Sequence, residues 1–274
     1  MSEPLSIATP ESVEKHSKGI PALGMEGVTQ AYLSRDGSET VALKDLDLQV
    51  GRSEFVSLVG PSGCGKSTIL RLAAGLAKPT LGRVQLNGYP VANQRELVGV
   101  VFQKPTLLDW LSVEQNVLLP VRVAHRRIPN RERDRARELL AKVGLEAFAD
   151  KMPRELSGGM QQRAAICRGL IQDPEVLLMD EPFGALDALT REEMSFELLR
   201  IWSETQKTIL FVTHSINEAV LLSDRVVVLS PRPGRILEQV EVPLQRPRTT
   251  ETLTHGEFHD RAQRIRELIY GRGT

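Results

Sequence analysis

A chain of 274 residues is long enough for one large domain, or two small lobes, around a real core. With 41% hydrophobic and 26% charged residues it has the balance of a globular protein and not a disordered one. Lysine plus arginine and aspartate plus glutamate both number 35, so the formal net charge is zero and the basic excess of a whole-protein nucleic-acid footprint is missing. Two cysteines cannot build a disulfide framework, which points to a reducing compartment. No apolar run approaches the roughly 18 residues that span a bilayer. The opening stretch Met1–Gly19 carries no apolar signal core. The expectation is a cytoplasmic protein that meets a membrane only through partners.

Residues 1–23 are polar and punctuated by proline, with no period that buries a face, and are expected to form a loose extension. From Val41 to Val50, Leu46, Leu48 and Val50 alternate with Asp45, Asp47 and Gln49, the pattern of a half-buried strand. Phe55–Val59 is a short apolar run ending in glycine, a buried strand that delivers the chain to a loop. Gly82–Leu86 followed by Asn87-Gly88 reads as a strand and turn, and Val98–Phe102 as another compact strand. The middle turns helical: Ser112 to Gln115 has the spacing of a capping box, and Arg131–Val143 is a charged helix closed by Gly144. Three apolar, β-branched runs follow at Val176–Met179, Thr208–Val212 and Val226–Leu229, separated by helix-length segments. That rhythm belongs to a parallel sheet covered by helices. Near the end Phe258, Ala262, Ile265, Leu268 and Ile269 recur at helical spacing, predicting an amphipathic helix that docks on the body.

The sharpest chemical signal is Gly60-Pro61-Ser62-Gly63-Cys64-Gly65-Lys66-Ser67-Thr68, lying after a predicted strand and before the helical run Thr68–Ala74. It matches the phosphate-loop pattern G-x-x-x-x-G-K-[ST] in its required context. Glycines let successive N–H groups turn inward as an anion nest, and the helix N-terminus adds its positive end. Lys66 is placed to reach the β and γ phosphates and the Ser67 hydroxyl to ligate Mg²⁺. Residue frequencies give about 0.006 chance matches over the chain, so an accidental glycine-rich turn loses to nucleotide binding. Such a loop needs a carboxylate at the end of a buried strand. Val176-Leu177-Leu178-Met179-Asp180-Glu181 supplies one, with Asp180 on the metal side and Glu181 as the general base for water. His214 follows the strand Thr208–Val212. Alone it reads as a structural histidine, but the strand's end shares a sheet edge with Asp180 and Gly60, which favours a functional role.

Leu156-Ser157-Gly158-Gly159-Met160-Gln161-Gln162-Arg163 resembles the signature motif of the ABC transporter ATP-binding cassette. Gln103 is similar to that family's Q-loop glutamine, Ala185-Leu186-Asp187 to its D-loop and His214 to its switch histidine. Tyr32 stands where the family places the aromatic that stacks on adenine. The likeness runs from about residue 24 to 245 in the family's order. It implies an α/β fold: a P-loop NTPase, RecA-like core with an antiparallel β subdomain and an inserted α-helical subdomain at about 104–173. The cassette would then cover 24–249, with a C-terminal helix over 250–274. It also implies ATP and Mg²⁺ as cofactors, with Ser67, Gln103 and Asp180 at the metal. Asp187 would be a further nucleotide-binding residue, and Ser157, Gly158 and Gly159 would serve the nucleotide of a second copy in a head-to-tail dimer, because a serine followed by two glycines at a helix start repeats the anion nest far from the chain's own phosphate loop. Gln103 and His214 would orient the attacking water. Ser215 departs from the aspartate that relatives usually carry after the histidine, leaving open what supports that ring.

Phe102–Leu111, with Leu107-Leu108-Asp109-Trp110, and Ser230–Ile236, reading Ser-Pro-Arg-Pro-Gly-Arg-Ile, look like segments of the nitrate, taurine and aliphatic sulfonate importers, as does Asp187–Arg191. That resemblance implies transmembrane permease subunits as partners, a periplasmic solute-binding protein acting indirectly, a place on the cytoplasmic face of the inner membrane, and Trp110 at the permease contact. The rival reading is a soluble cassette acting on ribosomes or DNA. Such relatives usually carry two cassettes or a long coiled coil, and this sequence has neither. A small-molecule kinase leaves the signature motif unexplained. Seven arginines between Arg122 and Arg137 interleave with Glu132, Asp134 and Glu138 and lack aromatics, which reads as a solvated helix face and not a nucleic-acid surface. His255 and His259 are not in a metalloprotease order, and neither Cys64 nor Cys167 is assigned redox chemistry.

Overall fold

The computed structural model describes residues 19–33, 37–125 and 127–271. Most of the expected extension, residues 1–18, lies outside them, and the body begins earlier than residue 24. Ala22 and Leu23 are fully buried, and Leu23 pairs with both Val50 and Leu86.

Two sheets carry the fold. The first is antiparallel, in the order β2-β1-β4-β5, and is built from β1 (Leu23–Leu33), β2 (Glu39–Val50), β4 (Leu81–Leu86) and β5 (Tyr89–Pro90). Leu46, Leu48 and Val50 of β2 face inward while Asp45, Asp47 and Gln49 stay exposed, as the alternation requires. The period is broken at Asp45, whose positive φ of 51° accompanies a shift in register between β1 and β2. Asn87 and Gly88, both at positive φ, close the β4-β5 turn.

The second sheet has the order β10-β9-β3-β8-β7-β6, with β3 (Phe55–Val59), β6 (Val98–Val101), β7 (Val176–Asp180), β8 (Thr208–Val212), β9 (Arg225–Leu229) and β10 (Ile236–Glu241). All neighbours are parallel except β9 and β10. Its central strands read as unbroken apolar runs because both faces are covered. Phe55, Leu177, Met179, Ile209 and Phe211 enter one core cluster, whereas Val56, Leu58, Val176, Leu178 and Leu210 enter the other. The first cluster joins the sheet to the helices. The second joins it to α1 (Lys66–Ala73) and to the antiparallel sheet.

Between β6 and β7 lies a helical lobe of α2 (Val113–Val117), α3 (Leu119–Ala124), α4 (Asn130–Lys142) and α5 (Gly158–Leu170). The Ser112–Gln115 capping box is formed, and Gly144 takes a left-handed φ of 67° just after α4. On α4, Ala136, Leu139 and Leu140 are buried, and three of its arginines pair with Glu132, Asp173 and Glu114. α6 (Ala188–Thr205) and α7 (Ile216–Leu222) alternate with β7, β8 and β9. The terminal α8 (Gly256–Tyr270) buries Phe258, Ala262 and Ile265 and packs on α7, β9 and β10. Among the described residues no helix is long and apolar enough to cross a membrane.

Candidate functional site

Parallel pairing of β3, β8 and β7 brings three loops to one sheet edge, because Leu58 and Asp180 are both in register with Val212. Gly60 leaves β3, Glu181 leaves β7, and Thr213 and His214 leave β8 there. This is the carboxyl end of the strands, where α/β sheets open a crevice for ligands.

The phosphate loop is held open from below. Gly65 sits at φ +106° as the N-terminal boundary of α1, and a Cβ there would lie 2.5 Å from Leu43 Cδ2 of β2. No side chain caps α1, so the N–H groups of its first turn are left for a ligand. Lys66 is only 8% exposed, and its ammonium donates to the carbonyls of Gly60 at 2.8 Å and Pro61 at 3.1 Å. It has no carboxylate partner among the described residues, which suits an anionic ligand. Cys64 is buried under the loop.

Ser67 Oγ donates to Asp180 Oδ1 at 3.4 Å, so the expected metal-side pair meets. Burial, with the adjacent Glu181 charge added, holds the Asp180 carboxyl above its ordinary range against the Ser67 hydrogen bond. A hydroxyl and a desolvated carboxylate are hard oxygen donors, the chemistry Mg²⁺ prefers. Glu181 takes a left-handed φ of 46°, unusual for a non-glycine residue, and the turn is fixed by its N–H to Val212 O at 2.9 Å and by Gly184 N–H to its own carbonyl at 2.9 Å. Its Oε2 stands 3.2 Å from His214 Nδ1. Gln103 lies across the same turn: a Cβ on Gly184 would come within 2.9 Å of Gln103 Nε2. Residues from β6, β7 and β8 thus converge on one place.

Other expected residues lie elsewhere. Ser157 caps α5 by accepting from Met160 N–H at 3.3 Å. Cβ atoms on Gly158 and Gly159 would touch Leu186 and Thr190, so the signature rests on the Ala185–Asp187 turn and not on the phosphate loop. Asp187 caps α6, accepting from Thr190 N–H at 3.0 Å, and that backbone bond pulls its carboxyl below the usual range. Tyr32 is exposed on β1 opposite Thr40.

The matching family model, described as ABC transporter, covers residues 43–184. The chain belongs to the ABC transporter family. It is an ATP-binding cassette subunit with the P-loop ATPase fold. It is 42% identical over 252 residues to a taurine import ATP-binding protein of Jannaschia sp., covering 92% of this chain and 94% of that one. It is 44% identical over 243 residues to a nitrate import ATP-binding protein of Synechocystis sp., covering 88% of this chain and 36% of that one. Among solved structures, an ATP-binding cassette captured as a dimer in a post-hydrolysis state with ADP and phosphate superposes with a TM-score of 0.70 at 34% identity, over 81% of this chain and all of that one.

Sequence reading missed a strut beneath the cassette's phosphate loop. Gly234 donates its N–H to Ala42 O at 2.9 Å and accepts from Lys44 N–H at 3.1 Å, while Arg232 Nε donates to Gly63 O at 3.3 Å. The Ser230–Ile236 segment is thereby wedged between β2 and the loop. Its signal in sequence was only the family likeness, because the partners are about 170 to 190 residues away.

Proposed function

We propose that this cassette hydrolyses ATP to power a membrane importer for nitrate, taurine, an aliphatic sulfonate or a similar small solute. It works as a head-to-tail dimer of two copies, docked on transmembrane permease subunits at the cytoplasmic face of the inner membrane. A periplasmic solute-binding protein delivers the cargo. Nucleic acid has no part in it. The observation that carries the reading is the division of the chain: the phosphate loop, Asp180, Glu181 and His214 share one sheet edge, whereas Ser157 caps its own helix and Gly158 and Gly159 face Leu186 and Thr190. A signature nest that does not face its own phosphate loop needs a nucleotide held by a second molecule. Trp110, 73% exposed, and Phe102, 45% exposed and next to Gln103 in the chain, offer apolar contacts to the permease.

Within this dimer, Lys66 and the first-turn N–H groups of α1 cradle the β and γ phosphates, and Tyr32 stacks on the adenine. Ser67, Asp180 and Gln103 would hold Mg²⁺, which when bound neutralises phosphate charge. Glu181 takes a proton from the attacking water, and His214 and Gln103 hold that water and the γ-phosphate in line. The 3.2 Å approach of His214 to Glu181 supports this pairing. Exchanging Glu181 for Gln removes the base and keeps the shape. The variant is expected to lose ATP turnover while still dimerising on ATP, read by phosphate release and by size-exclusion chromatography. Hydrolysis at the wild-type rate would remove Glu181 from this role, and recovery of ribosomes or DNA without a permease from solubilised membranes would overturn the importer.

A further inference from the structure

The two residues that flank His214 are tied by their side chains to the helix that follows. Thr213, just before His214, is buried and donates its hydroxyl to Glu218 Oε2 at 2.6 Å. The Thr213 oxygen accepts from Ser215 N–H at 3.0 Å, and the Ser215 hydroxyl accepts from Glu218 N–H at 3.3 Å. Residues on both sides of His214 are therefore closed into one ring around Glu218. The other carboxylate oxygen, Oε1, lies 3.5 Å from Arg191 Nε. Arg191 also donates from Nη2 to Leu186 O at 3.0 Å, inside the Ala185–Asp187 turn. Leu186 and Thr190 are the residues on which Gly158 and Gly159 rest. A continuous path thus runs from the signature, through the turn and Arg191, to the histidine loop.

A sheltered ion pair is a poor device for stability alone, since desolvation offsets much of its attraction. Its geometry suits a different task. A guanidinium is a planar fork whose arms hold fixed angles, so with Nη2 hydrogen-bonded to the Leu186 carbonyl, Nε of Arg191 is held facing the Glu218 carboxylate by charge, without a hydrogen bond of its own. We propose that Arg191 and Glu218 are positioning residues that couple the Ala185–Asp187 turn to His214, so that the His214–Glu181 pair reaches its working geometry only when the turn is seated. Capture of the partner copy's nucleotide by Ser157–Gly159 is then transmitted to the water-activating pair of the same chain. The inference rests on the reading of Glu181 and His214 given above.

The test compares wild type with Glu181→Gln, Arg191→Lys, Glu218→Gln and the Arg191→Lys/Glu218→Gln double variant. Steady-state ATP hydrolysis, titration with a fluorescent ATP analogue and thermal melting are measured on the same full-length preparations. Lysine keeps the charge of Arg191 but reaches only one of its two oxygen partners. Arg191→Lys and Glu218→Gln are each expected to lower kcat about tenfold with KM and nucleotide affinity within about twofold, and the double variant to lose no more than either single one. A purely structural pair would move the melting temperature and leave kcat per folded molecule unchanged. A kcat within about twofold of wild type for Arg191→Lys, or losses that multiply in the double variant, overturns the link. Should Glu218→Gln fail to fold, Arg191→Lys decides alone, since its side chain is 27% exposed and its substitution buries no new group. If Glu181→Gln hydrolyses ATP normally, the base assignment fails and the link falls with it. If Glu181→Gln is inactive and Arg191→Lys is normal, only the link fails.

Discussion

Gly234 lies far from the phosphate loop in sequence, yet its substitution by alanine should act on nucleotide affinity. A Cβ at this position would run into the carbonyl oxygen of Cys64, far inside any real Cβ contact, with Leu43 Cδ2 a further 3.1 Å neighbour. Carbon and oxygen settle at ~3.5 Å, so the two backbones must part by about 1.5 Å. Gly234 is pinned to β2 through Ala42 O and Lys44 N–H, which leaves the phosphate loop to move. A displacement of that size takes a ~2.9 Å hydrogen bond out of range, and losing one or two charge-assisted bonds to phosphate removes about 3 kcal/mol. ATP should bind about 100-fold more weakly, measured by isothermal titration on protein with an unchanged near-ultraviolet spectrum. Gly256→Ala is the control: its Cβ meets nothing within 4 Å at the start of α8, so affinity should hold. A folded Gly234→Ala protein that binds ATP within about threefold of wild type would refute the strut.

Two further outcomes follow from buried charge. Because burial and Glu181 hold the Asp180 carboxyl above its ordinary 3.8, the folded chain favours the protonated acid, and stability falls as pH rises from 3.8 through the raised value. At neutral pH Asp180→Asn should therefore melt above wild type without nucleotide, lose Mg²⁺-dependent hydrolysis, and lose its thermal advantage below about pH 4; a lower melting temperature at pH 7 contradicts this. Arg248, 6% exposed, donates to the carbonyls of Val220, Leu221 and Ser223 at the end of α7 and to those of Val242 and Leu244, and burial pulls its guanidinium down to about 10. Arg248→Met strands those carbonyls at about 1 kcal/mol or more each while returning the desolvation cost of the charge, a net loss of about 2–3 kcal/mol. That corresponds to roughly 5–10 °C in a thermal melt, and an unchanged or higher midpoint would show that the guanidinium contributes nothing net.

Strand β1 shows where periodicity stops being readable. Its alternation is interrupted by Gly24 and Gly27 and by shifts in register against β2 and β4, so the sequence carries no clean period although Leu23, Met25 and Val28 are fully buried. β3, β7 and β8 were legible as strands because both faces are buried, but an apolar run does not say which neighbour it pairs with. The capping box at Ser112 and the stop at Gly144 were legible because caps are local: donor and acceptor are within a few residues. The left-handed turn at Glu181 had no such signal, since it is imposed by Val212 on the neighbouring strand.

The same distinction separates the two sources of knowledge about the site. Contiguous residues from Gly60 to Thr68 determine a phosphate nest by themselves, because its donors are successive backbone groups of one loop and the helix it opens. Tertiary structure alone decided that Glu181 meets His214, that Gly234 props Cys64, and that Arg191 joins Leu186 to Glu218. These contacts depend on the register of parallel strands and on the packing of helices far apart in the chain. Apart from Arg191 and Leu186, which are five residues apart, no short stretch of sequence contains both partners, and only the assembled fold brings them within reach.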